Sequence, residues 1–221
     1  MAGWAYTVVK TRFQPTSNSW KPDRKERGKT FVVKPYQREH AIAYANRWWN
    51  SRNPLFPDFS DSGGDCTNFV SQCIFAGSCQ MNDTPTFGWY YRDMGDRSPS
   101  WTGVEYLWQF LTTNPEVGPF GHEVASTQMQ LGDVVQLGNR DGVFYHSLLL
   151  TGYSSDGLLL TAHTNDARNR PLSSYSYAHA RFLHVDGVRF TAPSTEECYE
   201  RILTGGGSMP PTSPEKDGNG E

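Results

Sequence analysis

No stretch of the sequence approaches the roughly eighteen consecutive apolar residues of a membrane helix, which excludes an integral α-helical membrane protein. Cysteine is scarce: Cys66, Cys73, Cys79 and Cys198 are the four in 221 residues. They are too few for a disulfide scaffold and show no C-x-x-C knuckles of a structural zinc site. If one of them is a working thiol, at most one disulfide can form among the rest. Charge of one sign is also missing. Twenty Lys+Arg against 23 Asp+Glu leave a net charge of −3, so there is no uniform basic field to recruit nucleic acid. Lysine nearly disappears after Lys34, with Lys216 the one exception. Residues 1–40 hold nine basic and three acidic residues, and residues 41–221 hold eleven and twenty, so the basic character belongs to the N-terminal arm. Met1–Lys10 lacks the basic-then-apolar order of a signal peptide. The expectation is a cytoplasmic protein as written, or a secreted or envelope protein if a leader was removed.

What is present is ample apolar matter, 37% of residues with 14% aromatic, which excludes disorder throughout. Residues 1–34 read as a basic arm with short strands at Ala5–Arg12 and Thr30–Val33. Residues 35–204 read as the folded domain, and 205–221, opening Gly205-Gly206-Gly207-Ser208, as a disordered tail. Ala41, Tyr44, Ala45 and Trp48 recur at helical spacing and predict a helix over about 36–50, stopped by Asn53-Pro54 and Pro57. A second helix is expected from Cys66 to about Ala76, ended by Gly77. A third is expected after Thr102, with Thr102 and Glu105 as a capping box. The turn-rich 78–100 segment between them is long for a connection and reads as a functional loop. After Leu131 the period changes from 3.6 to two, and 133–137, 143–153, 158–163 and 180–185 read as antiparallel strands. Helices first and strands afterwards make an α+β domain.

The sharpest chemical signal is Gly63-Gly64-Asp65-Cys66-Thr67-Asn68-Phe69-Val70-Ser71-Gln72. The glycines allow a tight backbone approach, Asp65 suits an N-cap, and Cys66 falls on the first helical position. A thiol there feels the positive end of the helix dipole, and the free N–H groups around it can hold an oxyanion. The bland alternative, a small buried cysteine after a turn, weighs equally on this segment alone. His146 opens the apolar run 146–152, and His163 and Asn165 close the next one. If Ser154–Gly157 forms a four-residue hairpin loop, facing residues have numbers summing to 311, so Leu148 faces His163 and His146 faces Asn165. His146, His163 and Asn165 then share one face, an assignment that a one-residue bulge would invert. Cysteine at a helix start, histidine on a strand and a polar orienting group beside it are the parts of a thiol nucleophile site. Asp65 reads as a cap, because a carboxylate beside a thiolate opposes its ionisation. Gln72 reads as structural. Trp89, Tyr90 and Trp101 are the candidate substrate-binding residues of a groove wall, although burial is the commoner fate of such rings. His40, His122, His179 and His184 have no partners at ligand spacing, and neither a metal nor a cofactor is needed to explain the pattern.

Residues from about Tyr36 to Arg189 resemble the bacterial Putative amidase domain family. The resemblance rests on Tyr44-Ala45-x-x-Trp48-Trp49-Asn50, Asn53-Pro54-x-Phe56, 63–72, Gly88–Tyr91, Ser98–Gly103, Gly132–Leu137, His146–Gly152, Ala162–Thr164 and Arg170–Tyr175. Asp65-Cys66 and His146 are more distantly similar to the motifs of CHAP and NlpC-type cell-wall peptidases. The resemblance implies a papain-like fold and a cysteine amidohydrolase or peptidase, with Cys66 as nucleophile, His146 as base and a thioester intermediate. The third role is divided between His163, which fits the NlpC-type pattern, and Asn165. An acyltransferase on the same site and a catalytically silent binding module are the alternatives. The implied partner is a peptide or other amide-containing substrate, peptidoglycan-derived by analogy with the distant relatives, acted on by a monomer.

Overall fold

Val134, Val135, Gln136 and Leu137 send successive side chains to opposite faces of a strand, and this alternation divides the interior into two layers. The structure, a computed structural model, describes residues 31–191 and 197–207. The expected strand at Ala5–Arg12, most of the basic arm and residues 208–221 lie outside the described residues.

The elements run β1 (Val32–Lys34), α1 (Arg38–Trp48), α2 (Cys66–Ser78), α3 (Pro99–Thr102), α4 (Val104–Thr113), β2 (Gly118–Val124), β3 (Val134–Gly138), β4 (Phe144–Ser154), β5 (Gly157–Ala162), β6 (Ala167–Pro171), β7 (His179–Phe190) and α5 (Glu197–Thr204). Every strand pair is antiparallel, in the order β1-β7-β3-β4-β5-β6, with β2 on the other edge of β7. The fold is therefore α+β, as the change of period implies. Sequence reading misses β2, β6 and α5, which are short, or half-exposed and poor in β-branched residues.

The third helix differs from expectation. Thr102 ends α3 rather than capping α4, whose N-cap is Gly103 with no side-chain bond. Glu105 turns instead to Arg181 of β7, 2.9 Å away. Helix α2 continues two residues past Ala76 and ends on Cys79, in the left-handed region at φ 47°. Gly77 is needed for contact rather than for termination, since a Cβ there would run into the Tyr36 ring and the Gln37 carbonyl.

All thirteen residues of α2 are buried. One layer of the core joins α1, α2 and α4 to Val134, Leu149, Leu183 and Val185 of the sheet. The other lies on the far face, where Val135, Leu137, Leu148, Leu150 and Leu160 pack under the 124–131 and 172–182 segments. Buried polar pairs tie the layers. Asp133 is fully buried and receives Arg38 Nη1 at 2.6 Å and His184 Nδ1 at 2.8 Å, fixing α1 to β7. A disulfide joins Cys79 at the end of α2 to Cys198 on α5, across 119 residues of sequence, and leaves Cys66 and Cys73 as free buried thiols.

Candidate active site

Two glycines precede α2 at φ 99° and 107°, a left-handed stretch that glycine enters without steric cost, and they turn the chain into the helix. Asp65 follows with no side-chain bond to the helix backbone, so the expected N-cap bond is absent. Its fully buried carboxylate instead accepts the Phe59 N–H at 3.0 Å, Asn68 Nδ2 at 2.8 Å and His163 Nδ1 at 2.6 Å. The Asp65 N–H donates to Thr164 Oγ1 at 2.8 Å. The turn after β5 is thereby clamped to the start of α2.

His163 is spoken for on both sides. Nε2 lies 2.8 Å from the Trp48 carbonyl, which can only accept, so Nε2 carries a proton and Nδ1 faces Asp65. The ring stacks on Phe69 of α2 with centroids 3.9 Å apart. No nitrogen remains for His146, and this corrects the expectation that His163 orients the base. Asn165 is exposed in the turn at φ 63° and is not brought to His146 either.

The cause is one residue of register. Near the turn the β4–β5 pairs sum to 311, as in Tyr153↔Leu158, but a shift between Leu150 and Gly152 changes this to Leu150↔Leu160 and Leu149↔Thr161. The bulge sends His146 to the far face with Leu148 and Leu150, while His163 stays on the helix face.

Cys66 nevertheless meets the residue after His146. Leu150 exchanges backbone bonds with Gly132 and Asp133 on the β3 side. Two-residue alternation then points the Ser147 N–H the other way, towards β5. That strand pairs with β4 only from Leu149 onward, so the Ser147 N–H has no strand partner there and acts to lower the Cys66 thiol. Burial pushes the thiol up from its ordinary value. Hydrogen bonds from the Ser147 N–H and from the Thr67 hydroxyl and N–H oppose that, and the Asp65 carboxylate adds a smaller upward push.

A hydrogen-bond chain supports the thiol, and none of its members stood out in the sequence. Arg181 Nε donates to Gln136 Oε1 at 2.7 Å, and Gln136 Nε2 donates to the Val104 carbonyl at 2.8 Å and to Ser147 Oγ at 3.1 Å. Ser147 Oγ and Thr67 Oγ1 are 3.0 Å apart, and Thr67 Oγ1 is 3.8 Å from Cys66 Sγ. Arginine can only donate and a carbonyl can only accept, so Gln136 Nε2 is the donor to Ser147 Oγ, and beyond that point either hydroxyl can donate to its neighbour. A sequence signal did exist, namely a lone polar residue inside each of two apolar strand runs, Gln136 in β3 and Ser147 in β4; both are fully buried, as is Thr67.

His146 makes no hydrogen bond to Cys66, His163 or Asn165 in this structure; its ring neighbour is Tyr175, 6.2 Å between centroids. Burial first, and the Arg170 charge second, lower its pKa to about 4. The expected groove wall is corrected as well. Trp89 and Trp101 are fully buried, donating to Ser71 Oγ at 3.1 Å and Asn68 Oδ1 at 2.9 Å, so their rings belong to the core. Tyr90 is half-buried, beside the Arg92 guanidinium. Gln72 accepts the Tyr44 hydroxyl at 2.6 Å, a structural role as expected. A cavity of about 620 Å³ opens at the opposite end of α2, near Lys34, His40, Cys79 and Tyr199, some 20 Å from Cys66 by the rise of the helix.

Uncharacterized protein YhbB of Bacillus subtilis (strain 168) is 34% identical over 140 residues, which is 61% of this chain and 43% of that protein. The chain thus spans less than half the length of that curated relative. No solved structure matches. The family model described as Putative amidase domain matches residues 35–185, a range that contains Cys66, Ser147, His146 and the whole Arg181–Thr67 chain, and the protein belongs to that family.

Proposed function

We propose that this protein is a cysteine-dependent amidohydrolase of the papain-like kind, with Cys66 as nucleophile and His146 as general base and acid. The observation that carries the reading is that Ser147, the residue after the candidate base, is tied to the start of the nucleophile helix: its Oγ lies 3.0 Å from Thr67 Oγ1, which lies 3.8 Å from Cys66 Sγ. At neutral pH both partners rest uncharged, the thiol raised by burial and the imidazole deprotonated. His146 lies on the far face of β4, so to reach the S–H its imidazole has to pass round the edge of β4 that β5 leaves free before Leu149. As sulfur bonds to the amide carbon, the thiol proton passes to His146. The C–N bond then breaks, His146 protonates the departing amine, and a thioester remains. Water attacks the thioester, giving its proton to His146, and the C–S bond breaks to release a carboxylic acid and restore the thiol. The oxyanion of each addition step lies at the N-terminus of α2, where backbone N–H groups have no helical partner.

Amides of peptidoglycan-derived peptides are the first substrates to test. The disulfide between Cys79 and Cys198 supports a working place in an oxidising compartment, where such bonds persist. The test pairs amine release from a panel of peptide amides with trapping of the thioester by hydroxylamine. Cys66→Ala and His146→Ala each abolish release and trapping, and the double variant is no worse than either alone. Turnover that survives Cys66→Ala would overturn the mechanism.

A further inference from the structure

Arg170 sits on β6 opposite Leu160, and Leu160 sits opposite Leu150. Its side chain therefore leaves the sheet on the face that carries His146. Ser174 fixes the guanidinium, its Oγ accepting from Nε at 2.9 Å and its carbonyl from Nη2 at 2.8 Å. The same group lies 4.1 Å over the Tyr175 ring, which in turn lies 6.2 Å from the His146 ring. Among the described residues the remaining nitrogen, Nη1, has no hydrogen-bond acceptor, and no carboxylate pairs with this arginine. Next to it the Tyr175 hydroxyl is buried without a hydrogen-bond partner. One guanidinium–phenol stack thus carries two donors without acceptors, with its ring 6.2 Å from that of the candidate base. The buried hydroxyl is costly for a folded protein on its own, because it has given up its water without gaining a partner, and the fixed cation near the imidazole opposes its protonation.

Resting on the thiol–imidazole reading above, we propose that Arg170 and Tyr175 form a subsite for a carboxylate of the substrate, so that the preferred substrates are amides bearing a carboxylate near the scissile bond. One guanidinium edge and one phenolic O–H match the two oxygens of a carboxylate, and the stacking on Tyr175 pre-organises the fork. Binding also couples to the chemistry. A bound carboxylate cancels the Arg170 charge, so His146 becomes a better proton acceptor only when a substrate is in place.

The test compares two alkylating probes on the full chain at pH 7.5, N-iodoacetylglycine and its neutral counterpart N-iodoacetylglycinamide, with labelling of Cys66 read by mass spectrometry. The wild type reacts with the carboxylate probe about tenfold faster and saturably, a difference on the scale of one charge-assisted hydrogen bond. Arg170→Gln brings the ratio near one, and Arg170→Lys and Tyr175→Phe, which keep the charge and the ring respectively, leave intermediate ratios. A ratio near one in the wild type, or a ratio preserved in Arg170→Gln, overturns the subsite. If Arg170→Gln does not fold, the Lys and Phe variants decide by the same comparison. A second readout is independent of the thiol: the His146 ring titration followed by NMR in sodium acetate against sodium chloride of equal ionic strength. Acetate raises the titration midpoint in the wild type and not in Arg170→Gln. Absence of labelling by either probe would sink the nucleophile reading alone, and the acetate titration would then rule on the subsite, with no shift counting against it.

Discussion

The Asp65 carboxylate and the His163 imidazole lie 2.6 Å apart, both almost wholly enclosed, and hold the turn after β5 to the start of α2. Removing one partner leaves the other buried without its shortest contact, although Asp65 keeps Phe59, Asn68 and the Arg52 guanidinium 3.5 Å away, and His163 keeps the Trp48 carbonyl. His163→Ala and Asp65→Ala are each expected to cost about 3–5 kcal/mol of folding stability, the scale of a broken buried pair. The double variant should cost much less than their sum, measured by urea unfolding. A role for His163 in orienting the base predicts the opposite pattern, lost turnover at nearly unchanged stability.

His146 supplies a pH signature. Its folded pKa of about 4 lies below the ordinary 6.5, so the unfolded chain binds the extra proton first. The stability tied to this depression is present above about pH 6.5 and is lost as pH falls through 4. The loss amounts to at most about 3 kcal/mol, and His146→Ala removes that part of the acid sensitivity. In the free enzyme the acid limb of kcat/KM should fall near pH 4 rather than between 6 and 7.

The Thr67 hydroxyl ends the chain from Arg181 beside the Cys66 sulfur and lowers the thiol pKa, so its loss leaves burial less opposed there. Thr67→Val should slow alkylation of Cys66 by iodoacetamide at pH 7 by about tenfold, as expected for one hydrogen bond to a developing thiolate. Above the thiol pKa the two rates should converge. A uniform slowing at every pH would assign Thr67 to packing instead.

Trp89 packs between Phe75, Trp101 and Phe110 with its indole N–H on Ser71. Trp89→Ala should destabilise the fold by about 3–5 kcal/mol, the range for emptying an aromatic core position. Differential scanning calorimetry would show it as a lowered Tm. The exposed Phe87, two residues earlier, should be replaceable by Ala with little change.

The Cys79–Cys198 bond closes 119 residues of chain. Chain-entropy arguments put its contribution at up to about 5 kcal/mol. Cys79→Ser, or reduction in the folded state, should lower the urea midpoint and free α5 first, seen as faster amide exchange over 197–204. An unchanged exchange pattern there would show that α5 is held by its packing on α1, including the His40–Tyr199 stack at 3.6 Å, without the bond.

Period and punctuation in the sequence determined the helix at Cys66, the strands after Leu131 and the α+β class, because these depend on neighbours three, four or two residues away, while the family resemblance rested on its matched motifs. The cysteine at a helix start was legible for the same reason. Which polar groups meet which was decided only by tertiary structure. One residue of bulge at Thr151 reversed the face shared by His146 and His163, and no local pattern near Gly152 announces it. Trp89 and Trp101 carry nothing in their own segments that separates a groove wall from a core; α2 and α4 enclose them from a distance. The Arg181–Gln136–Ser147–Thr67 chain draws on α2 and three strands, β3, β4 and β7, so each link exists only once the sheet has paired. Long-range pairing sets hydrogen-bond partners, and a linear pattern records only the side on which each residue begins.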